Sequence, residues 1–258
     1  MDSFALDLLQ DLECPICLDY MVPPITLCVH GHSICHNCRP TLRRCPSCRC
    51  KLMETRSLPL ENLSARITHP CTYRREGCTA QLLHDFKEEH LKECPYRPHH
   101  CPYVMVNSRC SWKGPMFNLE THIKDVDHFI INVDKHMFYT IEEGEINQGF
   151  ICSFDEIFFC YTQLLKSFFH VAVMYVGSKE LAKNYNFRVT IDRKDEGPSM
   201  SIRLPCQSYL QFLEWPWSFS DHRCAIFPKG YCKYFSEEFN GRQTVPCKIE
   251  IIRSNSAK

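Results

Sequence analysis

Toward the C-terminal end of the chain, apolar and polar side chains alternate one for one. Phe187, Val189 and Ile191 are separated by Arg188, Thr190 and Asp192, and Met200, Ile202 and Leu204 by Ser201 and Arg203; Val245, Cys247, Ile249 and Ile251 repeat the pattern. A period of two sends alternate residues to opposite faces of an extended strand. Asp195-Glu196-Gly197-Pro198 supplies a turn between the first two runs. Half-buried strands of this kind predict an antiparallel sandwich over residues 129–258, long enough to sustain its own core. The first half shows no such alternation. Its apolar positions come in short helical sets: Phe4, Leu8 and Leu12; then Leu58, Leu60, Leu63 and Ile67 among prolines; then Phe117, Leu119 and Ile123. The second set predicts a short helix joining modules within residues 50–70.

What the front lacks in apolar pattern it has in cysteine. Of 19 cysteines, 13 precede Ser111, and the rest are scattered without paired spacing. Compartment decides whether thiols mean disulfides or metal. The N-terminal stretch carries Asp2, Asp7, Asp11 and Glu13 where an export signal would be basic. The longest apolar run, Val171 to Gly177, is far short of the roughly 20 residues of a spanning helix. Both features predict a soluble chain with no membrane partner, cytoplasmic or nuclear, whose thiols are free to take zinc. Cys152, Cys160, Cys206, Cys224, Cys232 and Cys247 are expected to be small buried apolar residues.

Residues 14–49 concentrate the metal chemistry. The ligand spacing is Cys14-x2-Cys17, Cys28-x3-His32-x2-Cys35-x2-Cys38 and Cys45-x2-Cys48. Two-residue spacers let both thiolates of a knuckle reach one tetrahedral ion, and eight ligands need two ions. So short a segment cannot bury enough apolar surface to fold alone, whereas a structural zinc contributes on the order of 10–16 kcal/mol. His30 and His36 compete with His32 for the imidazole position, and the spacing favours His32.

Residues 71–128 repeat the theme. Cys71-x6-Cys78-x11-His90-x3-Cys94 makes one candidate site and Cys101-x8-Cys110-x11-His122-x5-His128 a second, for four zinc ions in the chain. His90 and Cys94 are four apart, on one face of a helix. In the second site His99 or His100 could replace a ligand. Both helices are acidic, with Glu88, Glu89, Glu93, Glu120 and Asp125, which repels phosphate. The formal net charge is zero, so only local patches could attract a polyanion, chiefly Arg39, Arg43, Arg44, Arg49 and Lys51. No nucleic-acid partner is expected.

Between the ligands, Ile16 lies inside the first knuckle and Pro46 inside the last, pushed outward because the flanking thiolates point at metal. An apolar pair held out in this way is a docking surface for protein.

The ligand order C3HC4 resembles the RING finger, and the whole order of parts resembles the seven-in-absentia (sina/siah) family of RING-type ubiquitin ligases. The stretches "CRPTLRRCPSCR" and "KECPYRPHHCP" carry that resemblance most specifically, with "VMYVGSKELAKNYNFRVTIDRKDEGPSMSIRLP" adding to it. It implies small zinc-stabilised α+β modules, a RING and a double siah-type finger, followed by an antiparallel TRAF-like β-sandwich. It implies interleaved ligation, with Cys14, Cys17, Cys35 and Cys38 on one ion and Cys28, His32, Cys45 and Cys48 on the other. It further implies an E3 ubiquitin-protein ligase without covalent catalysis of its own. Ile16, Pro46 and Arg49 would bind the ubiquitin-charged conjugating enzyme (E2). The sandwich would take short peptide degrons of substrates bound for proteasomal degradation and would form a homodimer. A degron is expected to add as a strand near Phe138 to Ile151. The alternative is a zinc-dependent adaptor without transferase activity. The longer spacers of the second finger and the aromatic run Phe212 to Phe219 depart from the family pattern.

Overall fold

A computed structural model of the chain describes residues 8–105, 110–126, 128–131, 136–192, 198–212, 224–239 and 241–254. The chain forms two compact units, Met1–Tyr96 and Arg97–Lys258. The division falls between the two halves of the expected double finger. Phe4, Asp2 and Asp7, the turn at Asp195–Gly197 and the aromatic run after Phe212 lie outside the described residues.

The first unit opens with a helical turn over 8–11, and Leu12 behind it is fully buried. Strands β1 (Ile25–Cys28), β2 (Ser33–Cys35) and β3 (Leu52–Arg56) form a sheet in the order β2-β1-β3. Helix α1 (Leu58–Arg66) follows, with a proline in its first turn. Residues 50–70 therefore hold the expected short helix and also a strand of the first sheet. Glu61 on α1 ties the two together. Its carboxylate accepts from the Ile25 backbone N–H at 2.8 Å and from Arg56 Nε and Nη2 at 2.8 and 2.6 Å. The Arg56 guanidinium holds this carboxyl below the usual carboxylate range.

Apolar side chains alone make little core here. Leu12, Met21 and Ile25 pack with Leu60, Leu63 and Ile67 around Cys14 and Cys35, while Ile34 and Leu52 pack around Cys28 and Cys45. Strands β4 (His69–Pro70) and β5 (Gln81–Leu82) and helix α2 (His84–Glu93) complete the unit. Their buried cluster consists of Cys71, Cys78 and Cys94, with Tyr73, Ala80, Leu91 and Tyr96 packed against it.

The second unit begins with β6 (His99–His100), β7 (Lys113–Gly114) and α3 (Leu119–Asp125). Then come β8 (His136–Thr140), β9 (Ile146–Ser153), β10 (Glu156–Leu165), β11 (Phe168–Tyr175), α4 (Lys179–Ala182) and β12 (Tyr185–Asp192). The chain continues through β13 (Ser199–Pro205), β14 (Gln207–Ser208), β15 (Ala225–Pro228), α5 (Lys229–Phe235), β16 (Glu237–Phe239) and β17 (Arg242–Arg253). One sheet runs β14-β11-β10-β9 with β15 also on β11; the other runs β13-β12-β17-β16 with β8 also on β17. This is the expected antiparallel sandwich; among the described residues β11 and β14 are its one parallel pair of strands.

The alternation read from the sequence maps onto the second sheet. Along β12 Tyr185, Phe187, Val189 and Ile191 are buried, while Arg188 pairs outward with Glu250 and Thr190 meets Ser201. The first sheet differs, because Phe158 to Tyr161 are buried without interruption. Ile151, Phe158, Cys160, Val171 and Val173 face the inter-sheet core. Their neighbours Phe150, Phe159, Tyr161, Ala172 and Met174 face Leu119, Ile123 and Cys101 of the second finger. A sheet covered on both sides reads as a continuous apolar run rather than an alternating one.

Of the scattered cysteines, Cys160, Cys206, Cys224, Cys232 and Cys247 are buried as expected, but Cys152 is exposed. It follows Phe150 on the outer face near the end of β9, where it lines an open cavity together with Glu120 of the finger helix.

If the outer face is a true core, Phe159→Ala should cost as much as Phe158→Ala, about 3–5 kcal/mol in denaturant unfolding of the whole chain. A cost below about 1 kcal/mol for Phe159→Ala would show that face to be solvated.

Candidate metal centres and docking face

Four clusters of donor atoms form among the described residues from the sixteen predicted ligands. Cys14, Cys17, Cys35 and Cys38 converge, as do Cys28, His32, Cys45 and Cys48; Cys71, Cys78, His90 and Cys94; and Cys101, Cys110, His122 and His128. The first two interleave along the chain. His32, not His30 or His36, joins the second cluster, and His128 closes the fourth, while His99 lies buried in β6 and His100 is exposed.

Spacing within the clusters suits zinc. Bonds of about 2.3 Å to sulfur and about 2.0–2.1 Å to nitrogen place neighbouring tetrahedral donors about 3.4–3.8 Å apart. Cys17 and Cys35 Sγ are 3.8 Å apart, Cys28 and Cys48 Sγ 3.7 Å, and Cys71 and Cys94 Sγ 3.9 Å. Cys28 Sγ is 3.4 Å from His32 Nδ1, Cys78 Sγ 3.5 Å from His90 Nε2, and Cys110 Sγ 3.4 Å from His122 Nε2. His122 and His128 Nε2 are 3.1 Å apart.

At the third and fourth centres the protonation of the isolated groups points the same way. Burial pushes the Cys71 and Cys101 thiols up to about 12, so they ionise only beside a cation, which a divalent metal supplies. Burial also lowers the imidazoles of His90, His122 and His128, keeping their lone pairs available.

Each centre is braced by backbone and rings. The N–H groups of His30 and His32 both donate to Cys28 Sγ at 3.3 Å, that of Cys38 to Cys35 Sγ at 3.4 Å, and that of Tyr73 to Cys71 Sγ at 3.4 Å. At the fourth centre Trp112 stacks on His122 with centroids 4.8 Å apart, and Tyr103 on His128 at 4.1 Å. These two rings were not legible as part of the site, since nothing in the spacing marks them.

The knuckles holding Ile16 and Pro46 share one backbone form. Leu18 N–H returns to Cys14 O and Arg49 N–H to Cys45 O, at 3.0 and 2.8 Å, and Cys14 and Cys45 N–H reach Asp19 O and Cys50 O, both at 2.9 Å. Closing each loop puts Leu18 and Arg49 in the left-handed region, φ 57° and 62°. That region costs a non-glycine residue about 1 kcal/mol or more. Ile16, Leu18, Pro46 and Arg49 all end up exposed. Arg39 turns instead toward Glu54 at 2.7 Å, so one cation of the basic patch is already paired.

A further link runs from the first knuckle to the first finger. Asp19, directly after Leu18, faces Lys87 Nζ at 3.4 Å and Arg74 Nη1 at 3.6 Å and accepts from Thr72 Oγ1 at 3.2 Å. Arg74 also donates to Leu18 O at 2.9 Å and lies over the Tyr20 ring at 4.8 Å.

With this geometry in view, comparison with known proteins settles the relationship. Residues 14–48 match the model described as the RING finger of E3 ubiquitin-protein ligase sina/sinah, and residues 62–139 match the sina zinc finger. The chain belongs to the sina family. Its sina-type relatives include E3 ubiquitin-protein ligase siah-1 of Caenorhabditis briggsae, 30% identical over 204 residues, which are 74% of this chain and 46% of that protein. Probable E3 ubiquitin-protein ligase sinah of Drosophila melanogaster is 37% identical over 133 residues, 52% of this chain and 36% of its own. E3 ubiquitin-protein ligase sina of Schistosoma mansoni is 38% identical over 144 residues, 56% and 36% of the two chains. The chain thus spans less than half the length of each of these sina relatives.

The sina-type clusters can bind zinc, four ions in all. Elemental analysis of purified protein, dialysed free of exchangeable metal, should find four zinc equivalents, and Cys71→Ser should find three. Removing the metal with a chelator should abolish the fold of the first unit, read as loss of chemical-shift dispersion for residues 14–94. A folded first unit without metal would contradict this.

Proposed function

We propose that this chain is a RING-type E3 ubiquitin-protein ligase that works by positioning, with the sixteen clustered side chains as its zinc ligands. The carrying observation is the matched pair of knuckles that leave Ile16, Leu18 and Pro46 apolar and exposed around two metal-competent centres. Zinc, when bound, caps the thiolates and locks the knuckles, leaving the reacting bonds to the conjugating enzyme.

An E2 would seat its apolar loops on Ile16 and Pro46. Arg49, fixed in a left-handed backbone at the rim, would donate charge-assisted hydrogen bonds to the E2-linked ubiquitin. Holding the loaded thioester in one reactive geometry raises the rate through lost freedom of approach. The names of the sina relatives support this reading.

Substrates would reach the sandwich as short extended peptides along Phe138 to Ile151, and the sandwich would also carry the homodimer contact. Part of the β9 edge is already taken, since Ile131 and Phe150 N–H bond to Phe150 O and Phe129 O at 2.7 and 2.8 Å, and Tyr103 Oη donates to Gln148 O. Peptide backbone would therefore have Ile146 and Asn147 of β9 to pair with in the first sheet, or β8 in the second. No helix among the described residues is long and apolar enough to cross a membrane. A cytoplasmic or nuclear setting, with reduced thiols, fits the zinc chemistry.

In a reconstituted assay with ubiquitin, activating enzyme and a panel of conjugating enzymes, Ile16→Arg should remove autoubiquitination while four zincs remain bound. Arg49→Ala should leave E2 binding within about threefold and lower the discharge rate of loaded E2 by tenfold or more. Wild-type protein that is inactive with every conjugating enzyme would instead identify an adaptor.

A further inference from the structure

A fifth cluster of donors adjoins the second RING centre. His30, Cys48 and Cys50 bring ligand atoms within 4.8 Å of one another, with His30 exposed and both cysteines half-buried. Cys48 belongs to the second centre as well, whereas His30 and Cys50 are absent from all four four-donor clusters.

The backbone holds these groups in place independently of their side chains. Val29 N–H donates to Lys51 O at 3.2 Å and Cys45 N–H to Cys50 O at 2.9 Å, so residues on both sides of the cluster are tied to fixed neighbours. His30 is further fixed by its N–H to Cys28 Sγ at 3.3 Å, and the turn beyond it passes through Gly31 at φ +84°. Ordering such a site on binding therefore costs little backbone entropy.

We propose that His30 and Cys50, sharing the Cys48 thiolate, form an accessory site for a soft thiophilic cation at the edge of the second RING centre. Two sulfur donors and an imidazole select zinc, cadmium or cuprous ions over magnesium or calcium. A thiolate keeps lone pairs after binding one metal, so Cys48 can bridge two. Three protein donors leave the fourth tetrahedral position to water or an incoming ligand, the pattern of a site that exchanges rather than buries its ion. Because His30 is exposed, an ion can be captured from solvent and handed across Cys48 to the permanent centre, or withdrawn the same way. The proposal goes beyond the ligase reading and depends only on the second centre being filled.

The test uses the full chain carrying Cys152→Ser, which removes an exposed thiol elsewhere, loaded with cadmium-113. The parent should bind five cadmium equivalents and give a fifth resonance coupled through Cys48 to that of the second centre. Cys50→Ser and His30→Ala should each return the count to four with the remaining resonances in place. A parent that saturates at four, or a fifth resonance that survives Cys50→Ser, overturns the proposal. So does a Cys50→Ser protein holding fewer than four ions, since Cys50 would then belong to the permanent centre. Autoubiquitination lost or retained in the parent bears on the ligase reading and leaves the metal count unaffected.

Discussion

Four electron-rich donors held within one coordination radius are unstable unless a cation sits among them, and the first unit is organised around that constraint. Its buried apolar side chains are few and gather around cysteines, and near α2 the buried cluster is made of cysteines with only partly buried neighbours around them. Hydrophobic burial at about 25 cal/mol per Å2 cannot hold so thin a layer, whereas metal ligation is of the right size. Fold and metal are then one equilibrium. The exposure of Ile16 and Pro46, on which the proposed docking face rests, follows from the thiolates beside them pointing inward.

The second unit solves the same problem by a different route. Its finger also lacks an independent core, but Leu119, Ile123 and Cys101 lie against the outer face of the first sheet and share burial with Phe150, Phe159 and Met174. The finger supplies a lid for apolar surface the sheet would otherwise expose, and the sheet supplies the finger with a floor. Tyr103 and Trp112 sit at this seam and stack on the two histidines of the fourth cluster. Packing and ligand orientation are therefore coupled there, which accounts for a centre that tolerates long, irregular spacers.

These two solutions explain what was legible in the sequence. Metal spacing is local and chemically restrictive, so spacing, helical geometry and resemblance together single out sixteen side chains that the fold gathers into four clusters. Strands with one wet face were equally plain: β12, β13 and β17 lie where alternation put them. Strands β9 to β11 were not, because two-sided burial erases the period of two, and β3 was missed because it shows only one buried residue, Leu52. Long-range polar ties left no trace at all. Glu61 reaching Ile25 and Asp19 reaching Lys87 span 36 and 68 residues, and an acidic residue at either position reads as solvated charge. The left-handed Leu18 and Arg49 were hidden for the opposite reason, since such backbone ordinarily calls for glycine.

That last departure bears on mechanism. A glycine after each knuckle would relax the loop and cost nothing in backbone strain, yet Leu18 and Arg49 stand there, each with a side chain thrown outward beside an apolar neighbour. Leucine enlarges the greasy face next to Ile16; arginine places a cation at the rim next to Pro46. Strain of about 1 kcal/mol per site is sustained by the closing hydrogen bonds and, once metal is bound, by the ligand thiolate directly before each residue, Cys17 or Cys48. Asp19 extends the same rigidity backward, because the residue closing the first knuckle also carries the ion pairs to Lys87 and Arg74. A surface that works by orienting a partner gains from being stiff, since every torsion fixed before encounter is one fewer to fix during it. Within residues 14–49, the two positions where backbone preference is violated are therefore the ones the proposed docking face needs most.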